Sequence, residues 1–245
     1  MTEQDRAVVF GDIHGNFPAL EAVFADVDER WPETDRYCLG DLVGYGTFPN
    51  EVVEFVRDRS IPTIVGNYDV GVGANSDDCG CAYETEAEQR RGDRSIAWTN
   101  EAITDENRAY LRDLPERIEL ELGDLRVVLV HGSPRRVNEY LYEDRPDASF
   151  QRLLDAVEAD VLVCGHTHLP YHKELPDGGH VVNAGSVGKP KDGDPRAGYV
   201  VLAAEGDELS VEFRRVEYDV ERAATAIEAT EMPDPFAEML REGSG

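Results

Sequence analysis

Lysine is nearly missing from this chain: Lys173, Lys189 and Lys191 are the whole complement. The other basic residues are arginines, and Lys+Arg number 24 against 51 Asp+Glu, a formal net charge of -27. That balance argues against unspecific binding to nucleic acid or anionic lipid, because phosphate backbones attract stripes of Lys and Arg. An acidic, lysine-poor surface suits a protein kept dissolved in concentrated salt, where self-repulsion is screened. Halophilic adaptation is therefore the expectation. Cysteine is scarce too. Cys38, Cys79, Cys81 and Cys164 are the only four, which is no disulfide framework. Cys38 and Cys164 sit in apolar runs and read as inert core residues. No apolar run approaches the ~18 residues of a membrane span, and the N-terminus shows no signal-peptide pattern. A cytoplasmic location is the default that follows.

The chain has 245 residues, enough to bury roughly 70–75% of its unfolded surface without staples. No repeat, linker or low-complexity stretch divides it, so one domain over 1–245 is expected. Strand-like runs and helical periods alternate. Residues 7–10 read as a strand, 16–30 as a helix, 36–39 as a strand, 49–57 as a helix and 62–65 as a strand. That rhythm is the signature of an α/β sheet. Residues 70–116 break it with a Gly- and Asp-rich loop and polar helical segments near 83–91, 93–101 and 104–113, read as a helical insertion beside or over the site. Hairpins at 118–130, 171–182 and 198–215, a helix at 148–157, a strand at 161–164 and helices at 220–230 and 235–241 complete the reading.

Six of these strand-like runs end in Gly-rich polar clusters. The clusters deliver Asp12 and His14, then Asp41, Asn67, His131, His166 with His168, and Asn183. In open α/β architectures ligand sites collect at strand carboxyl ends, so one rim receives these side chains together. Crowded carboxylates repel unless cations hold them. Oxygen and imidazole donors without thiolate suit Mn²⁺, Fe, Zn²⁺, Co²⁺ or Ni²⁺. The donors are too many for one ion; two ions about 3.5 Å apart sharing a carboxylate would use them all.

Gly11-Asp12-Ile13-His14-Gly15, Gly40-Asp41-x-x-Gly44, Gly66-Asn67-x-Asp69, His131-Gly132 and Gly165-His166-Thr167-His168 occur in this order. The series resembles the five signature blocks of the calcineurin-like metallophosphoesterase superfamily, and within it the small prokaryotic phosphodiesterase branch related to diadenosine tetraphosphatase. The resemblance implies a four-layer α/β/β/α sandwich with a dinuclear centre, Mn²⁺ being the first choice of metal. It implies that Asp12, His14 and His168 bind one ion, that Asp41 bridges, and that Asn67, His131 and His166 bind the other. The implied reaction is hydrolysis of a small phosphodiester or nucleotide-type substrate by a metal-bridging hydroxide. Phosphomonoester or phosphoprotein hydrolysis is the alternative, and a non-catalytic scaffold that keeps the fold is a third reading.

One departure bears on the choice. Many phosphatases of that superfamily carry His after the Asn of the third block, where it assists the leaving group. Here the position is Tyr68, which either donates a proton with a less suitable pKa or packs over the metals. Either way, aryl or nucleotide leaving groups are favoured over alkyl phosphomonoesters. Asp41, Asn67, His131 and Tyr68 are the catalytic candidates. Asn16, Arg135, Asn183 and Ser186 are candidate substrate contacts by position. Arg136, Lys189, Lys191 and Arg196 flank the rim, either as solvated cations or as partners of a substrate anion. Cys79 and Cys81 mark a loop near the site, and His172 with His180 read as cross-strand residues. Oligomeric state is not legible from these patterns.

Overall fold

In the computed structural model, which describes residues 5–245, the apolar run before Gly11 is strand β1 (Asp5–Phe10). The first four residues of the expected domain lie outside the described part. Alternate side chains of β1 serve two cores, as the two-residue period of a strand requires. Val8 and Phe10 pack towards helices, whereas Ala7 and Val9 face a second sheet.

The first sheet has the order β2-β1-β8-β9, with β2 (Asp35–Cys38), β8 (Ala197–Glu205) and β9 (Glu208–Val216). β1 and β2 are parallel, with Ala7 opposite Asp35; β8 runs antiparallel to β1 and to β9. The second sheet has the order β3-β4-β5-β7-β6, with β3 (Arg117–Leu122), β4 (Leu125–Val130), β5 (Val161–Cys164), β6 (Tyr171–Glu174) and β7 (His180–Asn183). β4, β5 and β7 are mutually parallel neighbours, and antiparallel β3 and β6 close the edges.

Between the sheets lies an aliphatic core that includes Val9, Leu39, Leu129, Val163 and Val200. Burying each such side chain contributes about 1.5–3 kcal/mol. The outer face of the first sheet is covered by α1 (Phe17–Arg30) and α2 (Pro49–Asp58), through Leu20, Val23, Val52 and Val56. The outer face of the second is covered by α6 (Asp147–Val157), through Phe150, Leu153 and Leu154. The result is the expected α/β/β/α layering. α7 (Val220–Glu228) and α8 (Pro235–Glu242) pack on each other.

The insertion contains α3 (Asn67–Gly73), α4 (Glu86–Ala102) and α5 (Asp105–Arg112), and it differs in detail from the sequence reading. The strand expected at 62–65 is reduced to one bridge, Thr63 to Cys38. Pro62 has no N–H to donate to a ladder, and Val65 already bonds Pro115 O instead. The segments expected at 83–91 and 93–101 are one helix. Gly92, read as a break, is an interior helical residue whose absent side chain leaves room for the Tyr83 ring; a Cβ there would lie 1.9 Å from the Tyr83 hydroxyl.

Candidate metal centre

β1, β2, β4 and β5 point their carboxyl ends to one rim, and the loops that leave them are tied together by backbone bonds. Ile13 and His14 N–H both donate to Asp41 O, and Asp12 N–H to Gly40 O. On the other side Val187 and Gly188 N–H donate to Gly11 O and Asp12 O. Two glycines of the signature blocks are there because carboxylates occupy the space a side chain would need. A Cβ on Gly66 would stand 2.1 Å from Asp41 Oδ1, and one on Gly165 would stand 2.4 Å from Asp12 Oδ2. Asp12, His14, Asp41, His166 and His168 all adopt left-handed backbone with φ between 50° and 66°. Such a conformation costs roughly 1–3 kcal/mol for a residue with a side chain. Its concentration on five candidate ligands marks a geometry held by the surrounding fold.

The structure brings all seven candidate ligands together, none more than 4% exposed. Asp12, His14 and His168 form one group that could hold a cation; Asp41, His131 and His166 form another. His14 Nε2 lies 3.1 Å from His168 Nε2 and 3.6 Å from Asp41 Oδ2. On the other side Asp41 Oδ2 is 3.4 Å from His131 Nε2, so this one oxygen faces both groups. His131 Nε2 is also 3.1 Å from Asn67 Oδ1. The Nδ1 atoms of His14, His131 and His168 each meet a backbone carbonyl, of Val43, Leu39 and Lys189 respectively. In His14 and His168 those Nδ1–H bonds fix the tautomer and leave Nε2 as a bare lone pair. Bare nitrogens facing each other repel. His166 Nε2 and Asp12 Oδ1 are moreover buried with no hydrogen-bond partner. A cation among these donors would satisfy every one of them, so the residues fit the metal ions that the motifs imply.

Burial governs the electrostatics. It pushes His14 and His166 down to about 3 and His168 well below its ordinary value, with Lys191 and Lys189 adding to the effect. These three imidazoles are therefore neutral, as metal ligands must be. Burial also raises Asp12. In Asp41 the same penalty is outweighed by attraction to His131 and its hydrogen bond, which hold the carboxyl below the usual range. His131 is the counterpart: against burial, Asp41 lifts it to about 10.

The remaining sequence candidates fall elsewhere. Tyr68 is fully buried; its ring stands edge-on to His14 at 5.5 Å and its hydroxyl lacks a well-formed hydrogen bond. Its ring packs beside the candidate ligand His14 and the Tyr45 ring. Burial raises its phenol well above 10, which is unfavourable for proton donation. Asn67 Nδ2 donates to Cys79 O at 2.9 Å and to Cys81 Sγ at 3.3 Å, which leaves Oδ1 towards the centre. Asn16 caps α1 by accepting from Ala19 N–H and donates to Gly188 O. Asn183 Nδ2 bonds Gly165 O and Thr167 Oγ1. Ser186 Oγ donates to Asp12 O. These three side chains hold the loops in place and spend their polar atoms doing so. Arg135 is paired with Glu139 and lines a cavity of about 700 Å³ next to the centre.

Asp69, quoted in the third block without a role, is the brace of the site. It is wholly buried, and its two oxygens accept from Leu42 N–H at 2.9 Å and Gly66 N–H at 3.0 Å. Those amides adjoin Asp41 and Asn67, so one carboxylate ties two ligand loops. The Asx spacing of Asn67-x-Asp69 at a helix start was the available signal. Tyr140 was not singled out from the sequence; its ring lies 4.1 Å from that of His166.

Comparison with known proteins adds three findings. Residues 6–207 match the family model described as the calcineurin-like phosphoesterase superfamily domain. An uncharacterized protein of Methanocaldococcus jannaschii is 34% identical over 249 aligned positions, 95% of this chain and 96% of that protein. Among solved structures, a metallophosphoesterase from Sphaerobacter thermophilus is 29% identical with a TM-score of 0.76, covering 98% of this chain and all 100% of the other. A hypothetical protein from Pyrococcus horikoshii is 26% identical with a TM-score of 0.83, covering 97% and 98%.

Proposed function

The chain belongs to the calcineurin-like phosphoesterase superfamily, and from that premise we propose that it is a dinuclear, Mn²⁺-dependent phosphodiesterase acting on aryl or nucleotide-type esters. The observation that carries the reading is Asp41 Oδ2, which lies within 3.6 Å of His14 Nε2 and within 3.4 Å of His131 Nε2. Asp12, His14 and His168 would hold one ion, Asn67, His131 and His166 the other, and Asp41 both. Two such ions supply an acidified water as nucleophile and offset the charge that builds on the phosphoryl oxygens.

The chain's own residues supply position. The carbonyls of Val43, Leu39 and Lys189 orient three imidazoles, and Asp69 fixes the spacing of the loops that carry Asp41 and Asn67. The preference for diesters rests on position 68. No imidazole stands there to protonate a departing alkoxide, and Tyr68 is buried with a raised pKa. A leaving group that departs without protonation, an aryl oxide or a nucleotide phosphate, is then favoured.

The test is turnover of a chromogenic aryl diester against the corresponding monoester, with Mn²⁺ and KCl varied together. Diester turnover that disappears on exhaustive chelation, and in Asp41→Asn, is the expected result. Monoester turnover alone would replace the diester assignment; no turnover of either, with Mn²⁺ bound, would leave a non-catalytic member of the fold.

A further inference from the structure

In a chain with only three lysines, two of them, Lys189 and Lys191, stand next to the metal centre. Lys189 is 5% exposed. A buried ammonium ordinarily has a carboxylate or a set of carbonyls around it. Among the described residues Lys189 Nζ makes no ion pair and no hydrogen bond; it sits 5.0 Å from the centre of the Tyr45 ring. Lys191 and Arg91 are close enough to repel it. The three cations line one cleft of about 490 Å³, within the ordinary range for a small-molecule site. Glu84, Glu88 and the terminal Gly245 also line the cleft; Gly245 lies against the Lys191 stem, and Lys191 feels Glu88. Glu88 feels Arg91, but its Oε2 accepts from the Glu84 and Thr85 amides at 2.9 and 3.3 Å. In a molecule carrying -27, three cations share this cleft and the buried one, Lys189, has no carboxylate partner among the described residues, so an anion would complete the site.

The cleft shares walls with the metal centre. Tyr140, which lines it, lies against His166 at 4.1 Å. Cys81, also a lining residue, touches Asn67, and the Lys189 carbonyl receives the His168 Nδ1 bond. Its remaining surface is largely aromatic, including Tyr83 and Phe236. Phosphate beside a lysine pair and a flat ring against aromatic walls are the two interactions this lining offers.

We propose that this cleft is a second anion subsite, in which Lys189, Lys191 and Arg91 hold a phosphate beyond the one at the metal centre while the aromatic wall holds a base. The substrate class is then a nucleotide with at least two phosphates. The proposal rests on the phosphoesterase reading for the first phosphate, and its test reads binding rather than turnover. Equilibrium dialysis of AMP and of methylene-bridged ADP against the Mn²⁺-loaded protein, at fixed KCl, gives the ratio of the two affinities. The second phosphate should tighten binding by about tenfold or more in the unaltered chain. Lys191→Gln and Arg91→Gln, both at half-buried positions that need not disturb folding, should bring the ratio towards unity; Lys191→Arg should keep most of it. Equal affinities in the unaltered protein, or a ratio indifferent to both glutamine substitutions, would overturn the subsite. Loss of all phosphoester turnover with the ratio intact would strike the hydrolase reading instead, so the two failures are separable.

Discussion

Replacing Asp69 by asparagine should weaken metal binding without removing a single metal ligand. The carboxylate is buried and accepts two backbone N–H bonds, from Leu42 and Gly66. An asparagine of the same shape keeps one oxygen for one amide and turns an NH₂ group towards the other. One buried donor then loses its partner, at about 1–3 kcal/mol. Burial and the nearby Asp41 hold the Asp69 carboxyl up at about 7, so removing the charge returns part of that loss. A net destabilisation of about 1–2 kcal/mol, measured by urea unfolding of the metal-free protein, is expected. Because the two amides adjoin Asp41 and Asn67, loosening them should also cost about 10- to 100-fold in Mn²⁺ affinity, as loss of a ligand-orienting partner typically does. Titration calorimetry with Mn²⁺ reads this directly. An Asp69→Asn protein that unfolds at lower urea yet binds Mn²⁺ as tightly as the parent would show that the brace serves the fold and not the site.

Adding Mn²⁺ at about 100 times its dissociation constant should stabilise the parent by about 2.7 kcal/mol through linkage alone; an unmoved melting curve would contradict a site of converging lone pairs. Tyr68→Phe removes a hydroxyl without a well-formed hydrogen bond and should change stability by less than ~1 kcal/mol and kcat little, whereas a fall beyond about tenfold, roughly 1.4 kcal/mol, would identify the phenol as a proton donor. Glu139 is pushed up by burial but held down to about 2 by Arg135, Ser133 and Arg145. Its folded pKa is depressed, so its contribution is complete above the ordinary 4.5 and fades as pH falls towards 2. The melting-temperature gap between the parent and Glu139→Gln should close over that interval, and a gap constant with pH would refute the pairing. Raising KCl should raise the melting temperature, because salt screens the repulsion of a -27 chain; a fall would argue against saline adaptation.

What was legible in the sequence was what short-range chemistry encodes. The apolar run before Asp12 reads as a buried strand, the Leu20–Val27 spacing defines α1, and the Gly-x blocks announce side chains brought to one rim. Gly66 and Gly165 show why those blocks are so plain: the residue before Asn67 and the one before His166 must be glycine, since a carboxylate already fills the place. What was not legible depends on the partner across the gap. Gly71 and Gly73 read as loop, yet α3 runs through them, because helix α5 and the 76–79 segment approach too closely for side chains; Cβ atoms there would meet Arg112 Cγ at 3.1 Å and Asp78 O at 2.9 Å. Close tertiary packing overrides a local propensity worth only ~1 kcal/mol.

The same logic separates the polar candidates. Asn16, Asn183 and Ser186 occupy the rim as the ligands do, and sequence position could not tell a side chain that faces the centre from one that ties its loops. The hydrogen-bond inventory can: their polar atoms are engaged with neighbouring backbone, while Asp12 Oδ1 and His166 Nε2 are buried with none. Lys189 follows the second pattern rather than the first, buried with no hydrogen bond or ion pair at Nζ among the described residues and only the Tyr45 ring beside it. Unsatisfied buried groups cost free energy, and several that converge on one place are accounted for when a ligand joins them. On the subsite proposal, a ligand with two phosphates would answer both: one for the ions that Asp12 and His166 would hold, the other for Lys189.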